Sequence, residues 1–134
     1  MVRFDQDLET HYAPIDEDHQ RLVALLEAFI ATIDKRQRVL ALKALNAVAD
    51  QVATHFAFEE HLMAECRYRQ LTEHQEAHQS FLRDVHKFQR ELDKKGLTES
   101  VRLWGRGRLL SWFRLHVKAH DAALAKALKT FERK

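Results

Sequence analysis

Apolar side chains recur at steps of three and four residues along almost the whole of this chain, and only α-helices that each bury one stripe satisfy such spacing. Ile15, His19, Leu22, Leu26, Phe29 and Ile33 make the first stripe. Ala41, Leu45, Val48, Val52, His55, Glu59, Leu62 and Cys66 make the second. Leu71, His74, His78, Phe81, Val85, Phe88 and Leu92 make the third, and Leu109, Trp112, His116, Asp121, Leu124, Leu128 and Phe131 the fourth. Only three glycines and one proline interrupt 134 residues, which suits long helices. Breaks fall at Pro14, around 34–38, around 67–70 and at 94–100. Four stripes joined by short connections predict an all-α protein, an up-down-up-down four-helix bundle with an irregular N-terminal arm. The expected layout is a single domain over residues 1–134, with the arm at about 1–14 and helices at about 15–34, 38–66, 71–94 and 99–132. Asp16 is the expected N-cap of the first helix, Thr98 or Ser100 that of the fourth, and Gly96 the stop of the third.

Composition removes several classes of function. The 22 basic and 20 acidic residues leave a net charge of +2, which gives no electrostatic case for nucleic acid or a membrane surface. A single cysteine, Cys66, cannot form an internal disulfide. No apolar run approaches the ~20 residues that span a bilayer. Met1-Val2-Arg3-Phe4-Asp5 lacks the apolar segment of a signal peptide, so a cytoplasmic protein with no membrane insertion is expected.

The stripes themselves carry the chemistry. His19, His55, Glu59, His74, His78, His116 and Asp121 sit on or beside core positions, and every helix contributes at least one. One such histidine would pass as a hydrogen-bonded core residue, and one i,i+4 polar pair as part of an exposed face. Seven together would cost several kcal/mol each without a common partner, against a net stability of ~5–15 kcal/mol. A bound metal supplies that partner. His55 and Glu59, and likewise His74 and His78, are i,i+4 pairs that project from one helical face. His116 and Asp121 are five apart, so they diverge on a regular helix. Either they serve different parts of a broad site or a local π-bulge realigns them. Five imidazoles and two carboxylates exceed what one tetrahedral zinc takes. They suit two ions of higher coordination sharing carboxylates, iron or manganese by ligand type. His-Glu-x-x-His, Glu-x-x-His and a glycine-rich phosphate loop are all absent. Cys66 reads as a core thiol, and Arg102, Arg106, Arg108 and Arg114 as a solvated face.

The chain resembles the hemerythrins, and among them the single-domain bacteriohemerythrins, from about Ile15 to about Leu124. The likeness rests on Ile15-Asp16-Glu17-Asp18-His19, His55-Phe56-Ala57-Phe58-Glu59-Glu60 with Leu62-Met63, His74-x-x-x-His78, and Trp112-x-x-x-His116-Val117-x-x-x-Asp121. The resemblance implies two iron ions per chain with a bridging oxo or hydroxo group. His74, His78 and His116 would then bind one iron, His19 and His55 the other, and Glu59 and Asp121 would bridge them. The iron with two imidazoles keeps an open position for dioxygen, in a pocket lined by Leu22, Phe56, Trp112 and Phe113. The implied function is reversible dioxygen carriage, storage or delivery, with no catalytic residues. A di-iron enzyme reducing peroxide or nitric oxide is the alternative, and a sensor acting through a separate partner is the third reading. A redox or oxygen-consuming protein partner is left open.

Several residues depart from the family pattern. Phe113 stands where Leu usually follows the tryptophan, and is expected to narrow the pocket. Arg67-Tyr68-Arg69 replaces Gly-Tyr-Pro between the second and third helices. The arm has Phe4 but no Trp, and Gly105 and Gly107 interrupt the start of the fourth helix. His120 is an extra imidazole beside Asp121, expected at the surface or behind the ligands. His11, His61 and His86 are expected at the surface.

Overall fold

A computed structural model describes residues 8–133. Three uninterrupted helices, α1 (Ala13–Asp34), α2 (Arg38–Glu65) and α3 (Leu71–Lys95), are followed by a fourth, α4, over residues 99–132. Two π-helical turns, Trp104–Arg108 and Val117–Asp121, divide α4 into the α-helical stretches Glu99–Leu103, Leu109–His116 and Ala122–Glu132. Short loops at 35–37, 66–70 and 96–98 fold each helix back along the last, giving the four-helix bundle that the stripes predict.

The helix ends follow local chemistry, with one correction. Thr98 caps α4, its hydroxyl accepting from the Val101 N–H at 3.2 Å. Gly96 ends α3 at φ +86°, a conformation open to glycine. Asp16, however, is not the N-cap of α1. The helix begins at Ala13, with Pro14 in a first turn that needs no N–H donor. Asp16 instead accepts from the Thr10 N–H (2.8 Å), the Thr10 hydroxyl (2.7 Å) and the His11 N–H (3.0 Å). It thereby ties the arm to the helix, and Leu8 is fully buried against the bundle. The arm's first seven residues, Phe4 among them, lie outside the described residues.

Most stripe positions are buried, and the exceptions have physical causes. On α2, Met63 is fully buried while Leu62 and Cys66 are half-buried. A helix of 3.6 residues per turn drifts against a strict three-four alternation, which moves those residues off the buried seam. On α4, Phe113 is buried and Trp112 half-buried, and Phe131 is 49% exposed. Each π turn inserts one residue and shifts the phase by ~100°. The buried series accordingly steps by five at Trp104 to Leu109 and at His116 to Asp121. The first π turn also brings α4 against α1. A Cβ on Gly105 would lie 2.4 Å from Ile33 Cδ1 and 2.9 Å from Phe29 Cε2, so the close approach needs glycine.

Buried apolar residues form two groups. The larger includes Leu26, Phe29, Ile33, Leu45, Val85, Leu92 and Trp104, and the smaller comprises Ile15, Met63, Leu124 and Leu128. On α1, α2 and α4 the polar stripe residues fall between members of the two groups along the chain, and on α3 they fall between Leu71, half-buried against the smaller group, and Phe81 of the larger.

Candidate metal centre

The structure brings all seven polar stripe residues together, and none is more than 3% exposed. They form two sets whose potential ligand atoms lie within 4.8 Å of one another. Glu59, His74, His78, His116 and Asp121 make one set, and His19, His55, Glu59 and Asp121 the other. The two carboxylates belong to both. Glu59 Oε1 lies 3.1 Å from His78 Nε2 and 3.4 Å from His74 Nε2, while its Oε2 lies 3.4 Å from His55 Nε2. Asp121 Oδ1 lies 3.0 Å from His74 Nε2 and 3.1 Å from His116 Nε2, while its Oδ2 lies 2.9 Å from His19 Nε2. Each carboxylate thus presents one oxygen to two imidazoles of the first set and the other oxygen to one imidazole of the second. Of the two routes by which His116 and Asp121 could share a site, the π turn at Val117–Asp121 is the one the chain takes.

The electrostatics of this cluster are those of a site made for cations. Glu59 and Asp121 are fully buried and close together. Burial and their mutual repulsion both oppose charge on Glu59, yet bonds from the surrounding histidines hold it well below the usual carboxylate range. Asp121 is also lowered: burial resists, and the His116, His19 and His74 rings prevail. The compensating positive charge sits on histidine. Burial works against charging His55, but the carboxylates of Asp18 and Glu59 raise it to about 10. The same opposition, resolved by Asp121 and Glu59, raises His74 to about 9. Even so, His55 Nε2, Glu59 Oε2 and His116 Nε2 are buried with no hydrogen-bond partner. An unsatisfied buried polar atom costs ~1–3 kcal/mol. Cations placed between the imidazoles and carboxylates would satisfy all three, so the residues present fit a metal centre.

Two residues that the stripes do not reveal fix the imidazoles from behind. His55 Nδ1 donates to Asp18 Oδ2 at 3.0 Å, and Asp18 is buried and also bonded to Arg21. His78 Nδ1 donates to Glu60 Oε2 at 3.0 Å, and Glu60 also accepts from Gln75 Nε2 at 3.1 Å. A carboxylate on the far nitrogen aims the ring and strengthens it as a ligand. Asp18 precedes His19 and Glu60 follows Glu59 in sequence, but each serves a histidine on the next helix. That adjacency to a stripe residue was the one available signal.

The expected pocket residues pack around the cluster. Phe56 stacks on His78 (3.7 Å between centroids, 6° between planes), and Phe113 meets His19 edge-on at 5.3 Å. Leu22 lies in the same buried apolar group as Phe56 and Phe113. Trp112 stacks on His116 (4.6 Å, 11°) and on Phe81 (3.9 Å, 20°). His120 is half-buried, its ring 5.2 Å from that of His74 and 5.1 Å from that of His116. Burial and the neighbouring His116 and His74 hold it below the usual histidine range. His11, His61 and His86 are exposed, with His61 paired to Glu65 and His86 to Gln89. Cys66 is half-buried beside the 66–70 loop, not sealed in the core, and burial raises its thiol.

Comparison with known proteins agrees with this geometry. Residues 7–128 match the hemerythrin HHE cation-binding domain. A bacteriohemerythrin of Stenotrophomonas maltophilia is 26% identical over 130 residues, 96% of this chain and 82% of the relative. One from Pseudomonas paraeruginosa is 25% identical over 126 residues, 94% of this chain and 80% of the relative. A crystal structure of a leucine-to-phenylalanine mutant protein superposes with a TM-score of 0.85 at 22% identity, covering 96% of each chain, and shares the fold. With the family match spanning nearly the whole sequence, the chain belongs to the hemerythrin family.

Proposed function

We propose that this protein binds dioxygen reversibly at two iron ions, one held by His74, His78 and His116 and the other by His19 and His55, with Glu59 and Asp121 shared. The observation that carries the reading is the split of each carboxylate, one oxygen beside two imidazoles of the three-histidine set and the other beside one of the two-histidine set. When bound, an iron pair with an oxo or hydroxo bridge supplies two electrons that dioxygen can borrow and return. The protein's own residues make that loan reversible. The two-imidazole side has one ligand fewer, which leaves room for a small molecule beside His19 and His55. Leu22, Phe56 and Phe113 bring only apolar surface to this region and keep water out. Trp112, packed on Phe81 and His116, completes the wall.

The choice between carriage and reduction turns on protons, since reducing peroxide or nitric oxide consumes them. His120 is the nearest half-buried imidazole, and burial together with His116 and His74 holds it below the usual histidine range, which disfavours its charged, proton-donating form. Asp18 and Glu60 are engaged with histidines. This supports binding over catalysis. Protein loaded with ferrous iron without oxygen is exposed to air and then purged with argon while its visible spectrum is followed. Two irons per chain and a band that appears and vanishes over repeated cycles are expected. One metal per chain, or a first exposure that leaves only ferric protein and peroxide in solution, would overturn the reading.

A further inference from the structure

Between the 66–70 loop and the last stretch of α4, Ala122–Glu132, lies a surface groove made of two adjoining hollows of about 390 and 690 Å³. Ala123 and Ala127, half-buried on successive turns of α4, give it a smooth apolar floor. Phe131, 49% exposed, stands at the end nearest the C-terminus. The rim is cationic: Arg67 and Arg69 come from the loop and Lys126 from α4, all three exposed. No carboxylate lines either hollow, and none pairs with these three side chains among the described residues. The acidic residues that adjoin the lining in sequence are engaged elsewhere, Glu65 with His61 at 3.1 Å and Glu132 with the Tyr12 hydroxyl at 2.8 Å. Arg67 holds its place at φ +53°, a backbone conformation that glycine adopts more readily, so the loop keeps a cation where a smaller residue would be less strained. The basic residues near the opposite end of the bundle differ in this respect. Arg106 lies 3.2 Å from Asp34 there, in a hollow that Glu99 also lines.

We propose that this groove docks an acidic segment of a partner protein, its carboxylates on Arg67, Arg69 and Lys126 and an apolar side chain over Ala123 and Ala127 against Phe131. Three cations with no counter-charge of their own complement carboxylates, and a guanidinium takes a carboxylate by two parallel N–H donors. The alanines let the backbone of the segment come close, and Phe131 gives it an apolar stop. A nucleic acid suits the groove less well, because its backbone would run on past the cations toward Glu65 and Glu132. Tyr68, in the same loop, meets His74 edge-on at 6.4 Å, so the partner would sit one side chain away from the metal centre. Docking of this kind needs no iron, and it stands apart from the function proposed above.

The probe is a short peptide of alternating glutamate and leucine that carries a fluorescent label and a photo-cross-linker. The full chain, with its metal content measured, is titrated against it by fluorescence anisotropy, and the cross-linked adducts are mapped by mass spectrometry. Adducts are expected within 66–70 and 123–131. Arg69→Glu and Lys126→Glu should each weaken binding several-fold, and salt should weaken the parent and narrow that gap. Arg108→Glu makes the same change of net charge in the first π turn, away from the groove, and should bind as the parent does. Phe131→Ser should bind more weakly at every salt concentration, since the contact it removes is apolar. A peptide that does not bind, adducts confined to other surfaces, or Arg69→Glu and Lys126→Glu binding as tightly as Arg108→Glu would overturn the proposal. Equal affinity for a single-stranded oligonucleotide would overturn it too, by assigning the groove to polyanions in general. Iron content decides the proposed function separately, because peptide binding is read whatever metal the protein holds.

Discussion

Replacing Asp18 tests whether a residue that touches no metal sets the affinity of the site. Its Oδ2 accepts from His55 Nδ1 at 3.0 Å, and the carboxylate is buried and also bonded to Arg21. Losing such a carboxylate behind a ligating histidine costs ~10–100-fold in metal affinity, or ~1.4–2.7 kcal/mol. Asp18→Ala should show this full loss. Asp18→Asn keeps a neutral acceptor at the same place. Charge-assisted hydrogen bonds are about twice as strong as neutral ones, so asparagine should forfeit about half the free energy, a loss of ~3–10-fold. The pH adds a second constraint. Burial disfavours charge on His55, but Asp18 and Glu59 raise it to about 10, so a proton occupies the ring in the metal-free protein at neutral pH. Metal must displace that proton. Removing Asp18 therefore eases deprotonation while it loosens the ring, and the two effects oppose each other near neutrality. The affinity loss should be largest in alkaline solution, near the His55 value, and shrink toward pH 7. Competition between protein and a chelator for cobalt(II), titrated anaerobically at both pH values, measures it. An equal loss at both, or none in alkaline solution, would refute the account of Asp18.

Three further outcomes follow from the packing and the charges. Gly105→Ala should lower stability by ~1–3 kcal/mol through overpacking, because its Cβ meets Ile33 at 2.4 Å, whereas Gly107→Ala, with nothing within 4 Å, should raise it by up to ~1 kcal/mol; urea unfolding of both variants reads the opposite signs. In the metal-free protein, His55 and His74 are raised above their unfolded value of 6.5, to about 10 and about 9. Their stabilisation is complete below that unfolded value and is lost as pH rises through the folded ones. The urea midpoint of metal-free protein should therefore fall between neutral and strongly alkaline solution, and adding metal should restore it. Phe113→Ala removes the ring that meets His19 at 5.3 Å, and should cost ~3–5 kcal/mol as a core truncation. It should also speed both oxygen dissociation and irreversible oxidation in stopped-flow measurements.

The bundle and the cluster were legible for the same reason: each is a matter of period. Polar residues that interrupt an apolar stripe, such as Glu59 after His55, stand out whatever surrounds them. Asp16 misled because an acidic residue just before a helical stripe has the sequence of an N-cap, while its bonds to Thr10 and His11 depend on how the arm folds back. Asp18 and Glu60 act across helices, on His55 and His78, and pairing between helices leaves no periodic trace. The π turn at Val117–Asp121 announced itself by a step of five between two stripe residues. The one at Trp104–Arg108 was visible only as two glycines, because nothing polar marked the change of phase.

Those two turns divide α4 into three short rods in series, and the division has a mechanical consequence. A π turn has wider, poorer hydrogen bonding than the α-helix on either side, so it is the most compliant element of the helix. Asp121 stands at the end of one such turn, with His116 on the rigid stretch before it. Ions of different radius would ask the carboxylate to move by fractions of an ångström. The five-residue turn can absorb that displacement by a local change of pitch, leaving Leu109 and Phe113 on one side and Leu124 and Leu128 on the other in their seats. The centre is thus sprung at one carboxylate and clamped at the other, since Glu59 rides on the uninterrupted α2. Amide exchange within 117–121 should then run faster than in either flanking stretch, a gap in protection midway along a buried helix.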